Sequence, residues 1–221
     1  MREVVILGFA RTPIGKFGGG LKDVHPAHLA AFTIRKALER AGVDGKLVEE
    51  VIIGSTLQGG MGQSIARQAA LYAGLPVSAS AYTVNRVCSS GMQAVIDAYR
   101  EIALGDADVV VAGGAESMSM APLAIRPRAR WGLKHLIGAR EELVDLMIYD
   151  GLTDPTNGLL MGEETDLLAK EWGISREELD QVAYESHMRA WRATENKWFL
   201  DLEPMDESLG GRKSSWTATR G

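Results

Sequence analysis

Ala81-Tyr82-Thr83-Val84-Asn85-Arg86-Val87-Cys88-Ser89-Ser90-Gly91-Met92-Gln93-Ala94-Val95 holds the chain's single cysteine at a change of hydrophobic period. Residues 81–84 form a short apolar run that reads as a buried strand. Beyond it, Met92, Val95, Ile96, Tyr99 and Ala103 recur at helical spacing, and Gly105 supplies a stop. Cys88 is therefore expected at the tip of a strand and in the first turn of a helix. Unpaired N–H groups and the positive end of the macrodipole favour a thiolate there. Ser89, Ser90 and Gly91 are small, so a substrate thioester or another backbone segment can approach closely. The pattern suits a cysteine nucleophile. A small buried hydrophobe is the competing reading of a lone cysteine.

The same alternation extends on both sides. Residues 4–9 are a continuous apolar run that reads as a strand buried on both faces. Residues 15–20 are a glycine-rich loop without the spacing or the Lys-Ser/Thr of a phosphate-binding loop. Pro26 opens a helix with Ala30, Ile34, Ala37, Leu38 and Ala41 on one face, closed by Gly42. Residues 51–54 are a second strand. A helix carrying Ala66, Ala69, Ala70 and Ala73 follows, stopped by Gly74 and Pro76, and its alanines predict close helix packing. Residues 107–114 make a fourth strand ending in Gly113-Gly114. Strands alternating with helices predict an α/β protein with a mainly parallel sheet covered by helices on both faces. Sites in such sheets form beyond the carboxyl ends of strands, where Cys88, Gly113 and Gly114 fall.

Composition narrows the function classes. The 221 residues are 46% hydrophobic and 24% charged, with a net charge of −5. That balance is ordinary globular material and argues against a nucleic-acid partner, which calls for a clustered basic surface. One cysteine excludes an intrachain disulfide and suits a reducing cytoplasm. No stretch approaches the roughly 20 apolar residues of a membrane span, and the N-terminus lacks a signal-peptide pattern, so a cytoplasmic location is expected.

After Ser117 the pattern changes. Arg126, Arg128, Arg130, Lys134 and Arg140 form a basic run that suits either an anionic ligand or a solvated loop face. A helix is expected over residues 142–149 and turns over 151–158. Ser175 and Glu178 form a capping box for a long helix with Leu179, Val182, Ala183, Ser186, Ala190 and Trp191 on one stripe. His187 lies at the edge of that stripe. His25, His28 and His135 show no metal-like spacing, and no metal site is expected.

Several motifs in order resemble the thiolases, that is, acetyl-CoA acetyltransferases and 3-oxoacyl-CoA thiolases. They are Arg11-Thr12-Pro13-Ile14-Gly15-Lys16-Phe17-Gly18-Gly19, Gly62-Gln63 with Ala66-Arg67-Gln68-Ala69-Ala70, and Val84-Asn85-Arg86-Val87-Cys88-Ser89-Ser90-Gly91. Ala112-Gly113-Gly114-Ala115-Glu116-Ser117-Met118-Ser119, Asp150-Gly151-Leu152-Thr153-Asp154, Met161-Gly162 and Gly173-Ile174-Ser175-Arg176-Glu177-Glu178 complete the series. The resemblance runs from residue 1 to about 208 and covers a family's N-terminal half. It implies that Cys88 is acylated by acyl-CoA and that its backbone N–H contributes to an oxyanion hole. It implies acyl-pocket positions at Leu152, Leu160 and Met161, with coenzyme A thioesters as substrates and no cofactor. It implies a core over 1–120 with strand order 3-2-1-4, a fifth strand missing, and an incomplete CoA-binding loop domain over 121–221. Homodimers or tetramers are implied, with the strand near residues 82–84 pairing across the twofold axis.

Three departures qualify the resemblance. The family's second half, with its activating histidine, second cysteine and Asn-held water, has no counterpart, so the chain alone is expected to be inert in condensation. A separate C-terminal half is then an expected partner. Leu160-Met161-Gly162 stands where the family usually has His-Met-Gly, and Glu164-Thr165-Asp166-Leu167 where it has Thr-Ala-Glu-Asn. The expected function is acyl transfer in lipid metabolism: two acetyl-CoA giving acetoacetyl-CoA and CoA, or the reverse thiolysis. The alternatives are a catalytically silent fragment acting through a partner, and a ketoacyl-synthase-type condensing enzyme.

Overall fold

The computed structural model describes residues 2–132 and 142–205. Period-two alternation in Glu50–Gly54 (β1) organises the centre. Val51 and Ile53 join the core on one face, Ile52 joins a second core on the other, and all three are buried. β1 pairs in parallel with Ser80–Val84 (β2) on one edge and Val110–Gly114 (β3) on the other. Helices Pro26–Ala41 (α1) and Ile65–Tyr72 (α2) cover the Val51/Ile53 face through Ala27, Ala30, Ile34, Ala66, Ala69 and Ala70. Helix Ser90–Leu104 (α3) covers the other face, where Ala94 and Ala98 pack with Ile52. The result is the three-layer α/β arrangement with a parallel sheet.

Strand order differs from the expected 3-2-1-4. The second and fourth apolar runs, β1 and β3, are hydrogen-bonded directly, with no strand between them. Residues 4–9 form no strand. Gly8 rests on α1 so closely that a Cβ there would lie 2.7 Å from the Ala37 carbonyl oxygen and 2.9 Å from Ala41 Cβ. A cleft of about 640 Å³, walled by α1 and α3, lies between this run and β3. Val5, Ile6, Leu7 and Phe9 remain exposed. A strand exists only where a neighbour supplies backbone partners, and across this cleft none does.

The buried side of α3 matches the predicted stripe only in part, at Ala103. Ser90, Gln93, Ala94, Ala98 and Ala103 are buried, whereas Met92, Val95 and Tyr99 are exposed. The helix lies close to the sheet, with Ala94 and Ala98 against Ile52, and Val95, Tyr99 and Ile102 face the cleft instead.

Beyond β3, Leu123–Ile125 (β4) and Leu143–Asp145 (β5) pair antiparallel. The helix expected over 142–149 is replaced by β5 and a π-helical turn, Met147–Leu152. Met161–Glu171 (α4) and Arg176–Glu195 (α5) follow, and the Ser175/Glu178 capping box forms in both directions. Leu179, Val182 and Trp191 of the α5 stripe are exposed. No described helix is long and apolar enough to cross a membrane.

Residues 198–205 strap back across the N-terminal run. Arg11 N–H donates to the Asp201 carbonyl at 2.8 Å, and its guanidinium Nε donates to Asp201 Oδ2 at 2.7 Å. Arg40 pairs with Glu203 at 2.6 Å. The hydrogen bond from Arg11 holds the Asp201 carboxyl below its ordinary range despite opposing desolvation. A depressed folded-state value gives stabilisation that is complete above the usual carboxylate range and lost as pH falls through the lowered value. The pair is part-exposed, so its worth is about 1 kcal/mol or less. Asp201→Asn should therefore lower the melting temperature at pH 7, and the gap to wild type should close at acid pH.

Hydrogen exchange tests the strand assignment. Amides of residues 51–54, bonded within the sheet, should exchange orders of magnitude more slowly than those of residues 4–9. Equal protection of the two segments would contradict the open cleft.

Candidate active site

The site begins at the carboxyl ends of β1, β2 and β3, where α3 starts. A Cβ on Gly54 would lie 2.2 Å from the Ser90 carbonyl carbon and 2.4 Å from Gly91 N. One on Gly114 would lie 3.3 Å from Gly91 Cα. Glycine at these positions brings the start of α3 onto the sheet edge, and the link from β2 to α3 must turn within residues 85–89.

Cys88 sits in that turn and is exposed, which removes the buried-hydrophobe reading. It does not lie in the helix's first turn as expected. Ser89 is the N-cap, so Cys88 stands one residue ahead of it. The turn uses its own backbone groups to close: Ser89 N–H donates to Arg86 O and Ser90 N–H to Val87 O, each at 3.1 Å. Val87, immediately before the cysteine, adopts φ +50°, a left-handed conformation that a β-branched residue rarely takes. Such a conformation costs about 1–3 kcal/mol and persists only where its surroundings over-determine it. Those surroundings are polar. Val87 N–H donates to Asn85 Oδ1 at 2.9 Å, and Val87 O accepts from Ser90 Oγ at 2.6 Å and Thr56 Oγ1 at 3.0 Å. Arg86 N–H donates to Ser90 Oγ at 2.8 Å, and the Arg86 guanidinium reaches Gln93 Oε1 at 2.5 Å. Among the described residues, the Cys88 N–H donates to no other group. It is a free donor beside an exposed thiol.

The other expected site residues are spread further out. Gly151 lies over Leu57, where a Cβ would come within 3.1 Å of Leu57 Cδ2, so the π-helical turn carrying Leu152 meets the loop after β1. Leu152 is half-buried. Leu160 is one bridge removed, paired with Thr153, and Met161 opens α4 beside it; both are exposed. Among the described basic residues, Arg126 stacks its guanidinium 6.0 Å from the Tyr149 ring centroid, while Lys134 and Arg140 lie outside the described residues. His135 lies outside them too. His25 caps α1 by accepting from Ala27 N–H at 3.2 Å, His28 stacks on Tyr72, and His187 is exposed on α5. No three metal-ligating side chains cluster among the described residues.

Glu116, Thr56 and Asn85 take no role from sequence reasoning although all three bear on the turn. Glu116 falls within one of the thiolase-like motifs, but its partners Ser55, Thr56 and Leu57 lie 59 to 61 positions earlier and only folding brings them together.

Fold and site define a class: α/β proteins that present a cysteine at the carboxyl edge of a parallel sheet. Comparison with known sequences narrows it. Residues 4–208 match the family described as thiolase, N-terminal domain. The chain is 49% identical over 215 residues to an acetyl-CoA acetyltransferase of Synechocystis, covering 97% of this chain and 54% of that protein. It is 44% identical over 200 residues to an acetyl-CoA acetyltransferase of Syntrophomonas wolfei, covering 90% and 50%. A probable acetyl-CoA acyltransferase of Staphylococcus aureus is 43% identical over 213 residues, covering 96% and 53%. The chain belongs to the thiolase family. It spans about half the length of the curated relatives it matches.

Gly54→Ala tests the close approach. The added methyl must displace the Ser90–Gly91 peptide, an overpacking that costs about 1–3 kcal/mol. Urea unfolding should register that loss. Thiol titration of the folded protein should show changed Cys88 reactivity, because the displaced atoms carry the turn.

Proposed function

We propose that these 221 residues are the nucleophile-bearing part of a thiolase-type acyl-CoA acyltransferase, with Cys88 as the acyl carrier. The observation that carries the reading is the exposed Cys88 on a strained turn with its own N–H unpartnered. In the proposed reaction the Cys88 thiolate attacks the thioester carbonyl of acetyl-CoA. The oxygen gains negative charge and accepts from the Cys88 N–H, a donor already in place. Collapse expels CoA as thiolate, which takes a proton from solvent, and leaves acetyl-Cys88. The second cysteine that the family resemblance implies, outside these residues, takes a proton from the methyl carbon of a second acetyl-CoA, and the resulting carbanion attacks the acyl carbon to give acetoacetyl-CoA and return the Cys88 thiolate. Thiolysis is the reverse.

Leu152, Leu160 and Met161 are proposed to form an apolar wall beside the acyl group, and residues 121–221 to hold much of the CoA. Cys88 is the sole cysteine in the sequence. The second cysteine and the histidine that the family resemblance implies then come from polypeptide outside these residues, as a partner half or as further chain. A dimer or tetramer of the assembled protein is proposed with it. Members of a catalytic set act as a unit, so loss of one lowers the rate by on the order of 10⁴-fold. The second reading is a silent fragment that works through a partner. The apolar cleft beside β3 favours it, since a solvent-exposed apolar surface of that kind calls for a cover.

Intact-mass spectrometry after incubation with acetyl-CoA separates the readings. One acetyl group should add to the wild-type chain and none to Cys88→Ala, while condensation should require the complementary half. Absence of an adduct with that half present defeats the acyltransferase reading, and condensation by the chain alone defeats the silent one.

A further inference from the structure

Glu116 lies two residues past β3, and its carboxylate is committed to the loop after β1. It accepts from Thr56 N–H at 2.8 Å, from Leu57 N–H at 3.2 Å and from Ser55 Oγ at 3.2 Å. Charge-assisted bonds of this kind are stronger than neutral ones, and three of them bind one short loop to one side chain. Thr56 then reaches across to the cysteine turn twice. Its hydroxyl donates to Val87 O at 3.0 Å, and its carbonyl accepts from Asn85 Nδ2 at 3.3 Å. Asn85 in turn holds Val87 N–H.

Val87 C=O and Cys88 N–H belong to the same planar trans peptide, so fixing one fixes the direction of the other. Ser90 bonds that carbonyl from α3, tying the peptide to the helix. Among the described residues, only Thr56, in the loop after β1, ties it to the sheet side. We propose that Glu116 and Thr56 are positioning residues: through the Val87 carbonyl they aim the free Cys88 N–H at the oxygen of a thioester bound at Cys88. This rests on the reading of Cys88 as the acylated residue. Glu116 touches no reacting atom. Its role is to keep Thr56 rigid, so that the strained Val87 does not relax and turn the peptide away.

The prediction distinguishes two reactions of one thiol. Acyl transfer from acetyl-CoA develops an oxyanion and needs the N–H, whereas alkylation by iodoacetamide is a displacement at carbon and forms none. Both are measured on the full chain at the same alkaline pH, about 9, so that no activating base is required. Thr56→Val, close to isosteric, should slow acylation about tenfold or more, a fraction of the 10²–10³ that follows loss of an oxyanion donor. Alkylation should change by less than about twofold. Thr56→Ser, which keeps the hydroxyl, should recover most of the lost acylation rate. Glu116→Gln should resemble T56V, because its amide turns an N–H donor toward backbone N–H groups. Unchanged acylation in both T56V and E116Q, or a parallel fall in acylation and alkylation, overturns the proposal.

A second readout is independent of acyl chemistry. In ¹⁵N-labelled protein, T56V and E116Q should shift the Cys88 amide resonance and the Val87 coupling that reports φ. If wild type is never acylated, the acyl-carrier reading fails. The positioning claim then stands or falls on these resonances, and unmoved signals in both variants overturn it.

Discussion

Three glycines meet where the start of α3 crosses the sheet edge, and most of the site's geometry depends on that contact. With Gly54 and Gly114 beneath it and Gly91 within it, the first turn of α3 comes closer to β1 at Gly54 than any side chain permits, and sits tightly against β3 at Gly114. The helix then packs Ala94 and Ala98 against Ile52, and its larger apolar residues are turned outward. The same closeness shortens the passage from β2 into the helix. The chain turns within residues 85–89, and the turn's strain is concentrated at Val87. Cys88 is lifted out of the fold as a consequence.

Strain at one residue needs opposing bonds, and the edge of the sheet supplies them in a connected set. The Glu116 carboxylate orders the loop after β1, Thr56 carries that order to the cysteine turn, and Ser90 answers from the helix. In a partly buried setting such bonds are stronger than in water and an unmade one is more costly. The set therefore behaves as one unit. Among the described residues it leaves unpartnered the N–H of Cys88, the residue that also bears the thiol.

The remainder of the molecule shows where burial is incomplete. The cleft beside β3, the uncovered run over residues 4–9 and the exposed stripe of α5 are all apolar. Protein surfaces carry scattered apolar residues without consequence, but contiguous ones mark interaction surfaces. Relatives about twice as long as this chain have the polypeptide to cover such surfaces, whereas Cys88 and the residues that hold its turn are already assembled within the first 120 residues.

Local chemistry decided what the sequence alone made legible. Glycine and proline punctuation marked α1 and α2, short β-branched runs marked β1 to β3, and Ser175 with Glu178 announced α5, because each signal acts within a few residues. The cysteine's place between strand and helix was legible for the same reason, to within two residues of its observed position. Three things were decided only by tertiary structure. The order of strands depends on which backbone edges meet, and no residue in 4–9 encodes that its edge will face a cleft. The buried side of α3 depends on how near the sheet lies, so the larger members of the predicted stripe, Met92, Val95 and Tyr99, face outward where close packing demanded alanine. The Glu116–Thr56–Val87 relay joins residues from three loops far apart in sequence, and hydrogen bonds of that range leave no period in the chain.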